Sequence, residues 1–428
     1  MPGASKRQRI AITGIGIVSP YGVGRECYWD HVRRGVSGTR SIHEFDTDGF
    51  PSRVAAPLPP LAPEDVSFLA RDAPEGVDTA SARADPKRYS RASLGAVIAA
   101  GEAWADAGLS AGHPTAGVIV GTGAGGIDIG ERQYREFFAG EWRRVSPYAI
   151  PVSICGIVSS EVSIALGLHG ISHVLSCGCT SSSDAIGYAA QVLRAGEADV
   201  ILSGGADACV TPGMMYGFAR MRVVSTAYND EPDTASRPFD RGRDGFVLGE
   251  GAWMLVLERE ADARTRGARV YAYVEGYGST CDAYHRVQMD PEGEQIVRAM
   301  RLAVERSARS LESIEYINYH GTSTVLNDAI EIKSVRRLFG ARAERIPGSS
   351  TKSMVGHPQG ASGACGIATT ALALSRGALP PTINQSDPDP QCDLDVIPNH
   401  ARAVAAEAAL CNCLGFGSKN SALVLGAP

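Results

Sequence analysis

Residues 173–184 read His-Val-Leu-Ser-Cys-Gly-Cys-Thr-Ser-Ser-Ser-Asp: an apolar run, a break at a glycine, then a cluster of helix-capping residues. The helical spacing Ala185, Ile186, Ala189, Ala190, Val192, Leu193 follows at once, so the stretch reads as a strand turning directly into a helix over Asp184–Ala195. Strand-to-helix turns of this kind are the building unit of α/β proteins. The same alternation extends in both directions. Short β-branched runs at Arg9–Thr13, Gly117–Gly121, Val174–Ser176, Val200–Gly204 and Trp253–Leu257 alternate with candidate helices at Ser90–Ala107 and Glu294–Ser310. Buried strands in an α/β fold are expected.

The stretch Pro51–Asp85, rich in Pro, Ala and Asp, reads as an irregular excursion. A new β-type run, Val270–Gly276, opens after Glu258–Gly267 and restarts the pattern, which divides the chain into halves at 1–265 and 266–428. With 428 residues, 44% apolar and 21% charged, the chain can bury a large core. Its net charge of −6 argues against nucleic acid as a partner. No apolar run approaches the roughly 18 residues of a membrane span, and no signal-peptide pattern precedes the first strand. The ten cysteines are scattered without metal-like spacing, so reduced, mostly buried thiols in a cytoplasmic protein are expected.

Cys179 follows Gly178 and begins the helix, where the partial positive charge of the N-terminus favours thiolate over thiol. Cys177 stays on the strand side. The segment alone fits either a reactive thiol or a small residue filling a tight turn. Three further stretches bear on the choice. Residues 316–328 end a strand at His320 and continue Gly-Thr-Ser-Thr-Val-Leu-Asn-Asp; residues 350–363 read Ser-Thr-Lys-Ser-Met-Val-Gly-His-Pro-Gln-Gly-Ala-Ser-Gly; residues 412–417 read Asn-Cys-Leu-Gly-Phe-Gly. Lysine is scarce here, five in all, so Lys352 inside a Gly/Ser-rich motif stands out.

Taken in this order, the motifs resemble those of the β-ketoacyl synthases of the thiolase superfamily. The Asp-Ala-Ile-Gly continuation from Asp184 is closest to the ketosynthase subunit of bacterial type II polyketide synthases. The resemblance implies the five-layered α/β/α/β/α thiolase fold made of two similar halves, the first carrying the nucleophile and the second the His/Lys motifs and gating loop. It implies decarboxylative Claisen condensation of a carrier-bound malonyl unit with an acyl chain on Cys179, assisted by His320, His357 and Lys352. The backbone N–H groups of Cys179 and Phe416 would form the oxyanion hole, with Phe416 the gate, and Thr322 and Thr324 would bind the pantetheine arm. No bound cofactor or metal is implied, since substrates arrive on the phosphopantetheine of an acyl carrier protein. That acidic partner calls for a basic patch, for which the candidates are Lys87, Arg88 and Arg91, or Arg143 and Arg144. A second subunit is implied as well, either a copy of the chain or a chain-length factor. Chain-length factors usually carry Gln where this chain has Cys179. The competing readings are an elongating ketosynthase of fatty acid synthesis and a non-catalytic carrier-binding scaffold. One position departs from the pattern: Gly366 stands where the family usually has a glutamate that supports the lysine, so either Asp328 or Glu331 substitutes or Lys352 is held differently.

Overall fold

The computed structural model describes residues 8–61, 65 and 88–428. Ten strands carry the architecture. Five lie in the first half: β1 (Ile10–Ser19), β2 (Gly117–Gly121), β3 (Ser172–Leu175), β4 (Val200–Asp207) and β5 (Gly251–Arg259). They sit in the spatial order β3-β2-β4-β5-β1. The second half supplies β6 (Ala272–Cys281), β7 (Tyr316–Asn318), β8 (Gly348–Ser349), β9 (Ala408–Gly415) and β10 (Lys419–Gly426), in the order β8-β7-β9-β10-β6. The second order repeats the first strand for strand, so the two halves share one topology. They join where β1 runs antiparallel to β6, pairing Ile10 with Val274 and Ile12 with Ala272.

Strands β1, β2 and β4 are buried along their whole length. Covered on both faces, they read as continuous apolar runs rather than as an alternation. The covering helices are α1 (Arg91–Asp106) outside the first half and α3 (Glu294–Ser307) outside the second. Between the halves α2 (Ser181–Ala195) packs against α5 (Ser362–Arg376), with α4 (Val325–Phe339) beside α3. The layers therefore run α/β/α/β/α. The central core draws Ile186 and Leu193 of α2, Leu372 of α5 and Leu423 of β10 into one cluster.

Most expected elements are present with moved ends. β1 continues to Ser19 and β4 to Asp207. Helix α3 stops at Ser307, three residues short of the expected end, because Ala308 turns left-handed at φ 61°. Among the described residues no helix is long and apolar enough to cross a membrane.

Candidate active site

Gly178 adopts φ +70° between β3 and α2, a backbone conformation that side chains disfavour, and it turns Cys179 inward. Ser181 Oγ locks the turn by accepting from Cys177 N at 2.8 Å and donating to Gly178 O at 2.6 Å. The start of α2 then sits tight against α5, since a Cβ on Gly363 would lie 2.5 Å from Ser183. Cys179 is buried, and its sulfur faces its own N–H and that of Phe416. These donors and the Lys352 charge favour thiolate, but burial outweighs them and pushes the thiol up to about 11. The backbone N–H groups at the helix start favour thiolate in the expected direction, and burial opposes them. Cys177 is half-buried and faces away from the cavity described next.

A cavity of about 350 Å³ joins Cys179, His320, His357, Thr322, Thr324 and Phe416. The two imidazoles stand nearly perpendicular with centroids 5.3 Å apart. Burial, with Lys352 close by, holds both well below the usual imidazole value, so both are neutral near pH 7. His357 Nδ1 accepts from Gln359 N at 3.1 Å, which leaves the proton on Nε2. His320 Nδ1 is buried without a partner among the described residues. Thr324 caps α4 by accepting from Asn327 N, and its hydroxyl meets that of Thr322 at 3.0 Å.

Two buried carboxylates grip the backbone beside these histidines. Glu331 accepts from His320 N and Gly321 N, both at 2.8 Å, and from Asn412 Nδ2 at 3.1 Å. Asp207 accepts from Gly123 N at 2.7 Å, Ala124 N at 3.1 Å, Gly360 N at 2.6 Å and the Thr122 hydroxyl at 2.7 Å. Burial raises both, Glu331 to about 7. Asp328 accepts from Phe239 N and Thr322 N and pairs with Arg243. Neither candidate acid pairs with Lys352, which is buried outside the cavity wall and forms no ion pair among the described residues. Lys352 is thus held differently, and a Cβ on Gly366 would meet Asn318 Oδ1 at 2.4 Å.

None of the described basic-patch candidates lines this cavity. Lys87 falls outside the described residues. Arg88 does not line the cavity. Arg91 is spent inside the fold, pairing with the wholly buried Glu250, because that carboxylate needs a charge partner. Arg143 is exposed, and Arg144 lies near Glu136 and Glu141 on the same surface. Among the described residues lining the cavity the cation is Arg222, exposed together with Met221 and Val325, and motif reading gave no sign of it. Gln359 and Asp207 were missed too; the signal for Gln359 was its place two residues after His357. No cluster of three or more metal-ligating side chains occurs among the described residues.

Residues 7–263 match the family model "Beta-ketoacyl synthase, N-terminal domain", and residues 271–386 match "Beta-ketoacyl synthase, C-terminal domain". The 3-oxoacyl-acyl-carrier-protein synthase 2 of Staphylococcus aureus (strain COL) is 38% identical over 423 residues, covering 98% of each chain. Among solved structures, the ishigamide ketosynthase/chain length factor superposes with a TM-score of 0.88 at 33% identity, over 99% of this chain and 100% of that one. A type II PKS ketosynthase, bound to the hexaketide and in complex with its acyl-carrier protein, gives 0.87 at 28% identity, over 99% and 100%.

Proposed function

The chain belongs to the β-ketoacyl synthase family, and from that premise we propose that it is an elongating ketosynthase acting on acyl and malonyl groups carried by an acyl carrier protein. The observation that carries this reading is the placing of Cys179, with two backbone N–H groups at its sulfur, in one cavity with two neutral imidazoles.

In this reading Cys179 gives up its proton and attacks the carrier thioester, and the carrier leaves as a thiol. The carbonyl oxygen, negative in the tetrahedral intermediate, takes the N–H groups of Cys179 and Phe416. A malonyl thioester then enters past Thr322 and Thr324. His320 and His357 donate to its carbonyl oxygen while CO2 departs, which leaves the electron pair as an enolate. The enolate attacks the Cys179 thioester and expels the thiolate, which regains a proton. Burial is the main cause that keeps both imidazoles neutral, and Lys352 adds to it at a distance. The halves meet near residue 265, the first bringing the nucleophile and the second the histidines.

The 38% identical Staphylococcus relative supports the fatty-acid type of elongation, and that is the first reading, ahead of the polyketide context expected from the Asp-Ala-Ile-Gly continuation. The polyketide context is the second, favoured by the likeness to the ishigamide ketosynthase/chain length factor. The acidic carrier is proposed to meet Arg222 at the mouth. A second subunit, a copy or a chain-length factor, is proposed to cover the edge strand β3 and the exposed Tyr134, Phe137, Phe138 and Trp142. Intact-mass and peptide mass spectrometry after incubation with an acyl-carrier protein tests the reading. A gain equal to the acyl group on Cys179, lost in Cys179→Ala, is expected. No gain with or without a chain-length factor would leave the scaffold reading in its place.

A further inference from the structure

Gln359, in the wall of the cavity, breaks two rules at once. Its backbone holds φ +42°, a left-handed conformation that is costly for a residue with a side chain. Its side chain is only 8% exposed, yet Nε2 is buried with no hydrogen-bond partner among the described residues. Buried amides are almost always paired, and an exception beside a reacting centre points to a bond completed by a ligand. The strain has an identifiable cause. Gln359 N must reach His357 Nδ1 at 3.1 Å while Gly360 N reaches Asp207 at 2.6 Å. Those backbone duties would be served equally well by an apolar side chain, so they leave the carboxamide unexplained.

We infer that Gln359 is a substrate-recognition residue whose carboxamide donates to an oxygen lying close to the reacting carbons. The inference rests on the ketosynthase reading and deepens it by naming substrate chemistry. Gln359 shares the cavity wall with Cys179, His320, His357 and Phe416. An amide here is left unpaired by a saturated alkyl chain and satisfied by a carbonyl or carboxylate oxygen. Sites built to hydrogen-bond a substrate group discriminate strongly against analogues that lack it. The oxygen has two possible sources: the 3-position of the acyl chain on Cys179, or the malonyl unit.

The test measures initial rates of Cys179 acylation by butanoyl-carrier and 3-oxobutanoyl-carrier, in wild type, Gln359→Leu and Gln359→Met, with thermal melting as the folding control. Two side-chain shapes guard against one variant failing to fold. In a second arm, malonyl-carrier decarboxylation is compared in Cys179→Gln and Cys179→Gln/Gln359→Leu. If the acyl chain supplies the oxygen, wild type favours 3-oxobutanoyl by about tenfold or more, and the variants erase that preference. If malonyl supplies it, acylation preference is unchanged and decarboxylation falls by about tenfold in the double variant. Unchanged behaviour in both arms overturns the inference and leaves the ketosynthase reading intact. Absence of any acylation in wild type, with or without a chain-length factor, overturns that reading, and the inference with it.

Discussion

His357 and His320 are the same residue type in the same cavity, 5.3 Å apart and both neutral, yet they are held by different means. At His357 the ring itself is fixed: Gln359 N occupies Nδ1, and the following turn hangs on Asp207 through Gly360. At His320 only the backbone is fixed, by Glu331, while the ring has no partner at Nδ1. The difference teaches that a ring nitrogen can be aimed either by choosing its tautomer or by pinning the peptide that carries it. His357 is a committed Nε2–H donor, whereas His320 keeps the freedom to exchange its proton.

The harshest way to break the comparison is to remove each ring. His357→Ala and His320→Ala should each lower malonyl-carrier decarboxylation by about 10²–10⁴-fold, with acylation of Cys179 retained in the His357 variant. If that variant lost acylation as well, His357 would serve the transfer to Cys179 and not decarboxylation alone. Next come the two carboxylates, read by denaturant midpoints. Asp207→Asn keeps one acceptor oxygen but must turn its NH2 toward two of the four donors, and should cost about 2–3 kcal/mol, whereas Glu331→Gln can turn its NH2 toward Gly321 N alone and should cost about 1–2 kcal/mol near neutral pH. The reverse order would move the stronger clamp to His320.

A subtler test uses pH. Burial lifts the Glu331 carboxyl from its ordinary 4.5 to about 7. A raised folded value means that its stabilising contribution is complete below about pH 4.5 and lost as pH rises through about 7. Wild type should therefore lose ground to Glu331→Gln between pH 5 and pH 8, by on the order of 2 kcal/mol. A flat difference would mean that the backbone donors fully offset burial. The smallest expected effect is that of Lys352→Met. Removing a positive neighbour lets both imidazoles protonate more easily, so the acid limb of the decarboxylation profile should move to higher pH. A limb that stays put would show that burial alone keeps them neutral.

The chemistry of the site was legible where local sequence dictates local geometry. Gly178 before Cys179 announces a turn, so that stretch was readable from its own residues, whereas the stretches around His320 and His357 were read through their resemblance to a family's motifs. What stayed hidden depends on distant backbone. Asp207 lies at the end of a strand, and its partners come from residues 122–124 and 360; no spacing within one motif encodes that meeting. Glu331 was named as a possible partner for Lys352, but its oxygens turn to nearby peptide N–H groups instead. The thiol of Cys179 shows the same limit. Its place at a helix start was readable, but the depth of burial that opposes the helix end is a property of the assembled core. Arg91 sat in a basic run and looked free for docking, because nothing near it in the chain reveals that Glu250 lies beneath it.

The repeated strand order has a consequence for cooperativity. α2 is covered on one side by the strands of its own half and on the other by α5, so each half supplies the inner lining of the other. Neither half could bury Ile186, Leu193 or Leu372 alone. A duplicated architecture invites the idea of two modules unfolding separately, but here the repeats share a single interior and should melt in one transition. Cys179 and the two histidines lie on that shared seam, so the proposed chemistry and the fold are expected to be lost together rather than in turn.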